Sequence, residues 1–220
     1  MAGGCSRELE PMQFLNKNLV IVVVGCSNSG KSTFAIRYLE HGKFSCRFIF
    51  DPSGEYAEKF KRRPCTTPDE LTASIPTGWV IFDPHGLFPG DPMEAFANFC
   101  EWAWHRSAGF PGQKILFADE VWRFCSPNLI PKPLAQIIQD GRKKGIGLIA
   151  TTQRPNRLNE SLIAEATELV GFRLTGVNAI EFLRRNCPEF PIDELPALPL
   201  LHYTAQNLQS GGLLRGILKF

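Results

Sequence analysis

Eight consecutive residues, Gly25-Cys26-Ser27-Asn28-Ser29-Gly30-Lys31-Ser32, fit the spacing Gly-x-x-x-x-Gly-Lys-Ser/Thr, and Thr33 follows them. Glycine at the first and sixth places lets the backbone curl until successive N–H groups converge, which makes a nest for an anion. The lysine adds a mobile positive charge, and the hydroxyl after it is a hard oxygen donor suited to Mg²⁺. Such a run can cradle the polyphosphate tail of a nucleotide, with Lys31 reaching the β- and γ-phosphates and Ser32 ligating the metal. Cys26 reads as a small loop residue, because no neighbouring base is there to activate a thiol.

Binding a triphosphate is not hydrolysing it. Hydrolysis needs a carboxylate for the metal and a base for water, and Lys114-Ile-Leu-Phe-Ala-Asp119-Glu120 ends an apolar run with two acids. Asp119 is expected to hold Mg²⁺ through water, and Glu120 to orient and deprotonate the attacking water. Taken alone, the pair would be a solvated acidic turn. A third polar group closes the run Ile146-Gly-Leu-Ile-Ala-Thr-Thr-Gln153. The amide of Gln153 both donates and accepts, so beside a γ-phosphate it can sense whether that phosphate is present. Without the other two signals, Gln153 would read as a surface residue.

These groups act together only if the fold carries them to one place. Leu19 to Val24 is a continuous run, mostly β-branched, that reads as a strand buried on both faces, and helical residues follow from Lys31 to Glu40. Cys46 to Phe50 and Trp79 to Phe82 repeat the pattern, each closed by an Asp-Pro-x-Gly turn. Pro92 to Ser107 has helical spacing with one apolar face, and Lys114 to Ala118 is a fourth strand. A helix is expected over Pro133 to Lys143 with Gly145 beyond its end, then strands over Ile146 to Thr151 and Glu168 to Phe172, separated by a short helix from about Asn159. Alternation of this kind predicts an α/β fold, a central mostly parallel sheet flanked by helices, with ligands at the carboxyl ends of its strands.

The tail differs. Asn178 to Asn186 looks helical, prolines at 188, 191, 196 and 199 break the pattern, and Leu200 to Gln206 can pair with Leu213 to Leu218 as a hairpin around Ser210-Gly211-Gly212. The expected division is an N-terminal arm over 1–17, a core over 18–176, and a helix-and-hairpin extension over 177–220 packed on that core as one domain.

With 24 basic against 22 acidic residues the net charge is +2, so any polyanion must meet local patches and not a generally positive surface. Hydrophobic residues at 44% and charged residues at 21% exclude a disordered or coiled-coil chain. The seven cysteines include no Cys-x-x-Cys pair, which argues against a zinc site and for a reducing compartment. No apolar run approaches the ~20 residues that span a bilayer, and nothing near Met1 has the form of a signal peptide, so a soluble intracellular protein is expected.

The order of these blocks resembles the FtsK–HerA superfamily of ring-forming, DNA-pumping ATPases. The resemblance rests on Gly25 to Ser32, Asp51-Pro-Ser-Gly-Glu55-Tyr56, Ile115 to Glu120, and the run from Gly141-Arg142 to Gln153-Arg154-Pro155, and covers roughly residues 18 to 175. It implies a P-loop NTPase of the additional-strand, RecA/FtsK-like type, using ATP and Mg²⁺, that hydrolyses ATP to ADP and phosphate while moving double-stranded DNA. It also implies that Arg142 acts in trans on a neighbour's nucleotide, within a homo-oligomeric ring that is most often a hexamer. Arg154 and Arg157 are rivals for that role, and a basic helix end that favours the helix dipole is the plainer alternative for Arg142. Asp51 and Glu55 match the acids of an Asp-Pro-His-Gly-Glu-Tyr turn, with Ser53 departing from the histidine; a place near the metal or interface and a turn plus helix start explain them equally well. For Asp83 and His85 the turn reading is ahead.

About 18 residues precede the first strand, too few for the barrels or membrane helices of the superfamily's larger members. A bare core looks like the genome-packaging ATPases of membrane-containing icosahedral double-stranded DNA viruses. That resemblance implies a viral or prophage motor filling a preformed capsid, in the host cytoplasm or at a packaging vertex, with capsid-vertex or membrane proteins as further partners. Contacts to DNA would be non-specific and to phosphate, and Lys59, Lys61, Arg62 and Arg63, the pair Arg184-Arg185, and the segment Arg123 to Lys132 are candidates for them, although a solvated face is the reading ahead for the first two clusters. Three rivals share the phosphate loop. A nucleotide or metabolite kinase needs an acceptor pocket and an arginine-rich lid that are not evident, a GTP switch needs an Asn-Lys-x-Asp guanine reader that is absent, and a phage assembly or secretion NTPase needs a membrane segment.

Overall fold

The first strand, β1 (Val20–Val24), is buried at every residue, as an apolar run without alternation requires. In the computed structural model, which describes residues 19–219, it lies inside an eight-stranded sheet. The arm expected over 1–17 lies outside the described residues. Along the chain β1 is followed by α1 (Lys31–His41), β2 (Cys46–Phe50), α2 (Glu55–Lys59), α3 (Pro68–Ser74), β3 (Trp79–Phe82), α4 (Pro92–Ser107) and β4 (Lys114–Ala118). Then come α5 (Lys132–Asp140), β5 (Ile146–Thr152), α6 (Glu160–Ala164), β6 (Glu168–Phe172), α7 (Val177–Asn186), β7 (His202–Asn207) and β8 (Leu213–Ile217).

The strands lie in the order β3-β2-β4-β5-β1-β6-β7-β8. All pairings from β3 to β6 are parallel, and β7 and β8 join antiparallel. One strand, β5, therefore stands between the loop-bearing β1 and the acid-bearing β4, which is the additional-strand arrangement.

Alternate residues of each strand feed two cores. On one face Ile21, Val23, Phe117 and Ile149 pack with Phe34 and Leu39 of α1 and Tyr56 of α2. On the other, Val20, Val22, Leu116 and Leu148 pack with residues of α3 to α7, among them Leu71, Phe99, Ile137, Leu162 and Leu183. Among the described residues no helix is long and apolar enough to cross a membrane, and six cysteines are free thiols.

Two local outcomes differ from the sequence expectation, and a third decides between alternatives it left open. The helix read as far as Lys143 ends at Asp140, and Gly141–Lys144 tightens into a 3₁₀ turn closed by Gly145 at φ 63°. A tight turn of that kind is a common way to finish a helix when the next strand starts at once. One short helix, α3, was not expected, and another, α2, settles the helix-start alternative at Asp51 and Glu55. In α3, Thr67 caps the first turn by accepting from the Glu70 amide at 3.2 Å, with Pro68 at the first helical place. In α2, the cap comes from Asp51, whose Oδ2 accepts from the amides of Tyr56 at 3.0 Å and Ala57 at 2.8 Å.

The C-terminal hairpin matters to the site. It extends the same sheet, and the loop leading into it reaches the glycine-rich segment, where the Leu201 amide donates to the Ser29 carbonyl at 3.1 Å.

Candidate nucleotide-binding site

The carboxyl ends of β1, β5 and β4 stand side by side, so the three groups singled out in the sequence meet. Both motif glycines are required sterically. A Cβ on Gly25 would lie 2.6 Å from Ser29 Oγ and 2.7 Å from Phe172 Cβ, and Gly30 sits at φ 117° with Phe172 Cε1 only 2.9 Å from where its Cβ would be. The loop is pinned from outside by hydrogen bonds from the Cys26 amide to the Arg173 carbonyl at 2.7 Å and from the Gly25 amide to Thr152 at 3.3 Å. Ser27 and Asn28 form its exposed tip, Ser29 is buried, and Ser32 and Thr33 are half-buried at the start of α1.

Lys31 is buried, donates from Nζ to the Cys26 carbonyl at 3.0 Å, and stands 3.8 Å from Glu120 Oε1. Its charge is thus held under the loop and against the second acid. Glu120 occupies the left-handed region at φ 48°, an uncommon place for a residue with a Cβ and one that re-aims its side chain relative to Asp119. Its Oε2 accepts from the Trp122 indole Nε1 at 2.7 Å and from the Gln153 amide at 3.0 Å. Gln153 therefore touches Glu120 through its backbone, while its side chain is exposed. Asp119 is fixed by Thr151, whose hydroxyl donates to Oδ1 and accepts from the Glu120 amide at 3.1 Å.

Tyr56 completes the floor. Its hydroxyl is buried between Asp119 and Ser32, close enough to feel both, yet without the geometry of a hydrogen bond to either. Burial first, and the Asp119 carboxylate second, push this hydroxyl above the ordinary tyrosine range. Asp51, by capping α2, is what aims Tyr56 here. Glu55 does not enter the site; it is exposed and paired with Lys59. Asp83 closes its own turn, accepting from the His85 amide at 3.0 Å and meeting His85 Nδ1 at 2.7 Å.

Arg142 lies elsewhere. It precedes β5, whereas the loop lies beyond the other end of that strand, roughly 20 Å away at ~3.3 Å per residue. It is exposed and has no ion pair among the described residues, while Lys143 pairs with Asp140 at 2.6 Å and Lys144 sits 4.2 Å from the Trp104 ring centroid. The other basic clusters are mostly engaged: Arg63 with Glu70 at 3.1 Å, Arg62 over Trp79 at 4.9 Å, and Arg184 with Asp193 at 2.6 Å.

Sequence reading gave no role to Thr151, Tyr56 or Trp122. For Thr151 a signal existed, two threonines ending an otherwise aliphatic strand; Tyr56 stood in the Asp51-to-Tyr56 turn, where attention fell on the two acids, and Trp122 lies two residues beyond Glu120 with nothing in its type to mark it.

No protein-family model matches the chain, and no curated protein matches it in sequence. Solved structures do. The genome-packaging NTPase B204 from Sulfolobus turreted icosahedral virus 2, in complex with AMPPCP, matches with a TM-score of 0.75 at 20% identity over 92% of this chain and 98% of that one. The chain has the fold of a viral genome-packaging NTPase. The same fold in the ATP-gammaS complex of B204 gives a TM-score of 0.73 at 19% identity, covering 93% of this chain and 100% of that one. VirB4 of Thermoanaerobacter pseudethanolicus shares it more distantly, with a TM-score of 0.64 at 13% identity over 91% of this chain and 89% of that chain. At the level of the fold, the resemblance drawn from the motifs has its structural counterpart.

Proposed function

We propose that this chain is a Mg²⁺-dependent ATPase that moves double-stranded DNA, packaging a viral or prophage genome into a preformed capsid. The observation that carries this reading is the convergence of Lys31, Asp119 and Glu120 across β1 and β4 with the extra strand β5 between them, in a fold that B204 shares.

The residues present fit the metal. Ser32 and Asp119 are hard oxygen donors, and the buried Tyr56 hydroxyl between them lacks a partner that a metal-bound water would supply. Among the described residues no three His, Cys, Asp or Glu side chains cluster as a metal site, which suits an ion that takes most of its ligands from phosphates and water. When bound, Mg²⁺ neutralises charge on the β- and γ-phosphates.

The chain's own groups do the rest. Backbone amides at the start of α1 and the Lys31 ammonium hold the phosphates. Glu120 takes a proton from the attacking water. Gln153, joined to Glu120 through its amide, reports whether the γ-phosphate is there. In this reading Arg142 acts on the nucleotide of a neighbouring copy, in a ring that is most simply a hexamer, and its place a strand's length from its own loop is compatible with that role in trans. An arginine of this kind is worth ~10³–10⁵ in rate.

Phosphate release from ATP is the test. The account expects hydrolysis that rises with protein concentration and with added duplex DNA, and a complex several subunits in mass in the presence of a non-hydrolysable ATP analogue. A strictly monomeric protein whose turnover ignores DNA would favour the kinase class instead.

A further inference from the structure

Glu120, the base in the reading above, is not free to act. Its Oε2 accepts from both the indole N–H of Trp122 and the amide of Gln153, so the side chain is held in one orientation with that oxygen occupied. The indole is held in turn. Arg154 stands 4.8 Å and Arg157 5.4 Å from the centroid of the Trp122 ring, so two guanidiniums brace one side chain. Neither arginine has an ion pair among the described residues, and both are exposed.

The same two arginines line an open cleft of about 350 Å³ with Gln153, Asn156 and the first residues of α7. No acidic side chain lines it, and α7 begins at Gly176 without a side-chain cap. The cleft thus offers two positive charges, amide donors and no negative charge. Only an anion answers that set, and the three-residue spacing of Arg154 and Arg157 suits successive phosphates of a polymer lying across the opening.

We infer that this cleft binds the phosphodiester backbone of nucleic acid, and that Trp122 is a positioning residue coupling that binding to Glu120. With the cleft empty, the stacked arginines hold Trp122 in place and Trp122 holds Glu120. A backbone phosphate draws the guanidiniums off the ring, the indole N–H is released, and Glu120, left with the Gln153 amide as its donor at Oε2, can turn to take the proton of water. This rests on the hydrolytic role of Glu120, but the binding half can be read without any turnover.

Two measurements test it. Tryptophan emission is followed as duplex DNA is added to the full chain without nucleotide. A saturable change that is absent in Trp122→Phe and in the double variant Arg154→Ala, Arg157→Ala supports the cleft. No change, a change that persists in either variant, or an equal change with inorganic phosphate at matched phosphate concentration overturns it. In steady-state hydrolysis, Trp122→Phe, which keeps an aromatic face and loses the N–H, is expected to raise the DNA-free rate about fivefold, the rate equivalent of one hydrogen bond. DNA should then add little. The double arginine variant should behave the same way, and it carries the test if Trp122→Phe does not fold. A DNA-free rate that is unchanged or lower, with stimulation by DNA intact, refutes the coupling. Absence of hydrolysis in the unmodified protein together with the emission change would sink the ATPase reading and the coupling while leaving the cleft standing.

Discussion

The Thr151 hydroxyl donates to the Asp119 carboxylate from the neighbouring strand of the sheet. Through the same oxygen it accepts from the Glu120 amide at 3.1 Å, so one buried side chain sets both acids. Thr151→Val keeps the shape and removes both bonds. We expect kcat to fall by about 10- to 100-fold with KM for ATP little changed, because the acids lose position and the phosphate loop does not. Unfolding should cost about 1–3 kcal/mol less, from the partners left unpaired. Initial-rate kinetics beside a denaturant titration check both.

Tyr56→Phe separates packing from metal handling. The lost hydroxyl has no protein partner, so stability should hold or rise, by at most about 1–2 kcal/mol. The Mg²⁺ concentration giving half-maximal hydrolysis should increase. A Mg²⁺ titration that superimposes on that of the unmodified protein would remove Tyr56 from the site.

Much of this arrangement could be read from the chain, and the reason is physical. Val20–Val24 and Ile146–Thr152 are buried on both faces, so their composition alone announces central strands. The phosphate loop is contiguous, and its glycines are dictated by local sterics at Gly25 and Gly30. Thr151 and Asp119 are 32 positions apart, and the Tyr56 hydroxyl meets Asp119 only once Asp51 has capped α2. Such pairings are set by strand order, which periodicity does not encode. The Asp51 turn was equally readable as a site or as a cap, and the structure makes it a cap that aims a site residue.

At the far end of the sheet, Glu168 should give stability an unusual pH dependence. Burial pushes its carboxyl up from 4.5 to about 7, and its Oε1 has no hydrogen-bond partner. The folded chain therefore keeps a proton that the unfolded chain releases. Its contribution is present in full below pH 4.5 and is lost as pH rises through about 7. The loss amounts to roughly 3 kcal/mol at most. Glu168→Gln should flatten the fall, so that at pH 8 the variant is more stable than the parent. Denaturation midpoints at pH 5 and pH 8 decide it, and parallel shifts at both would contradict the assignment.

Arg142→Ala should lower hydrolysis by ~10³-fold or more while leaving nucleotide binding to the isolated chain unchanged, since this arginine lies a strand's length from its own loop. Equilibrium binding of a fluorescent ATP analogue, set beside turnover, distinguishes this from a folding defect. Weakened binding by the isolated chain would place the arginine in the wrong role.

The most direct test mixes two inactive proteins. Glu120→Gln subunits lack the base, and Arg142→Ala subunits lack the guanidinium offered to a neighbour. If the site is shared between copies, a mixed ring contains interfaces with an intact Glu120 on one side and an intact Arg142 on the other, and ATP hydrolysis returns to a substantial fraction of the unmodified rate. If the mixture stays as inactive as each protein alone while mass measurement shows that the rings are mixed, the two residues do not serve one nucleotide across an interface.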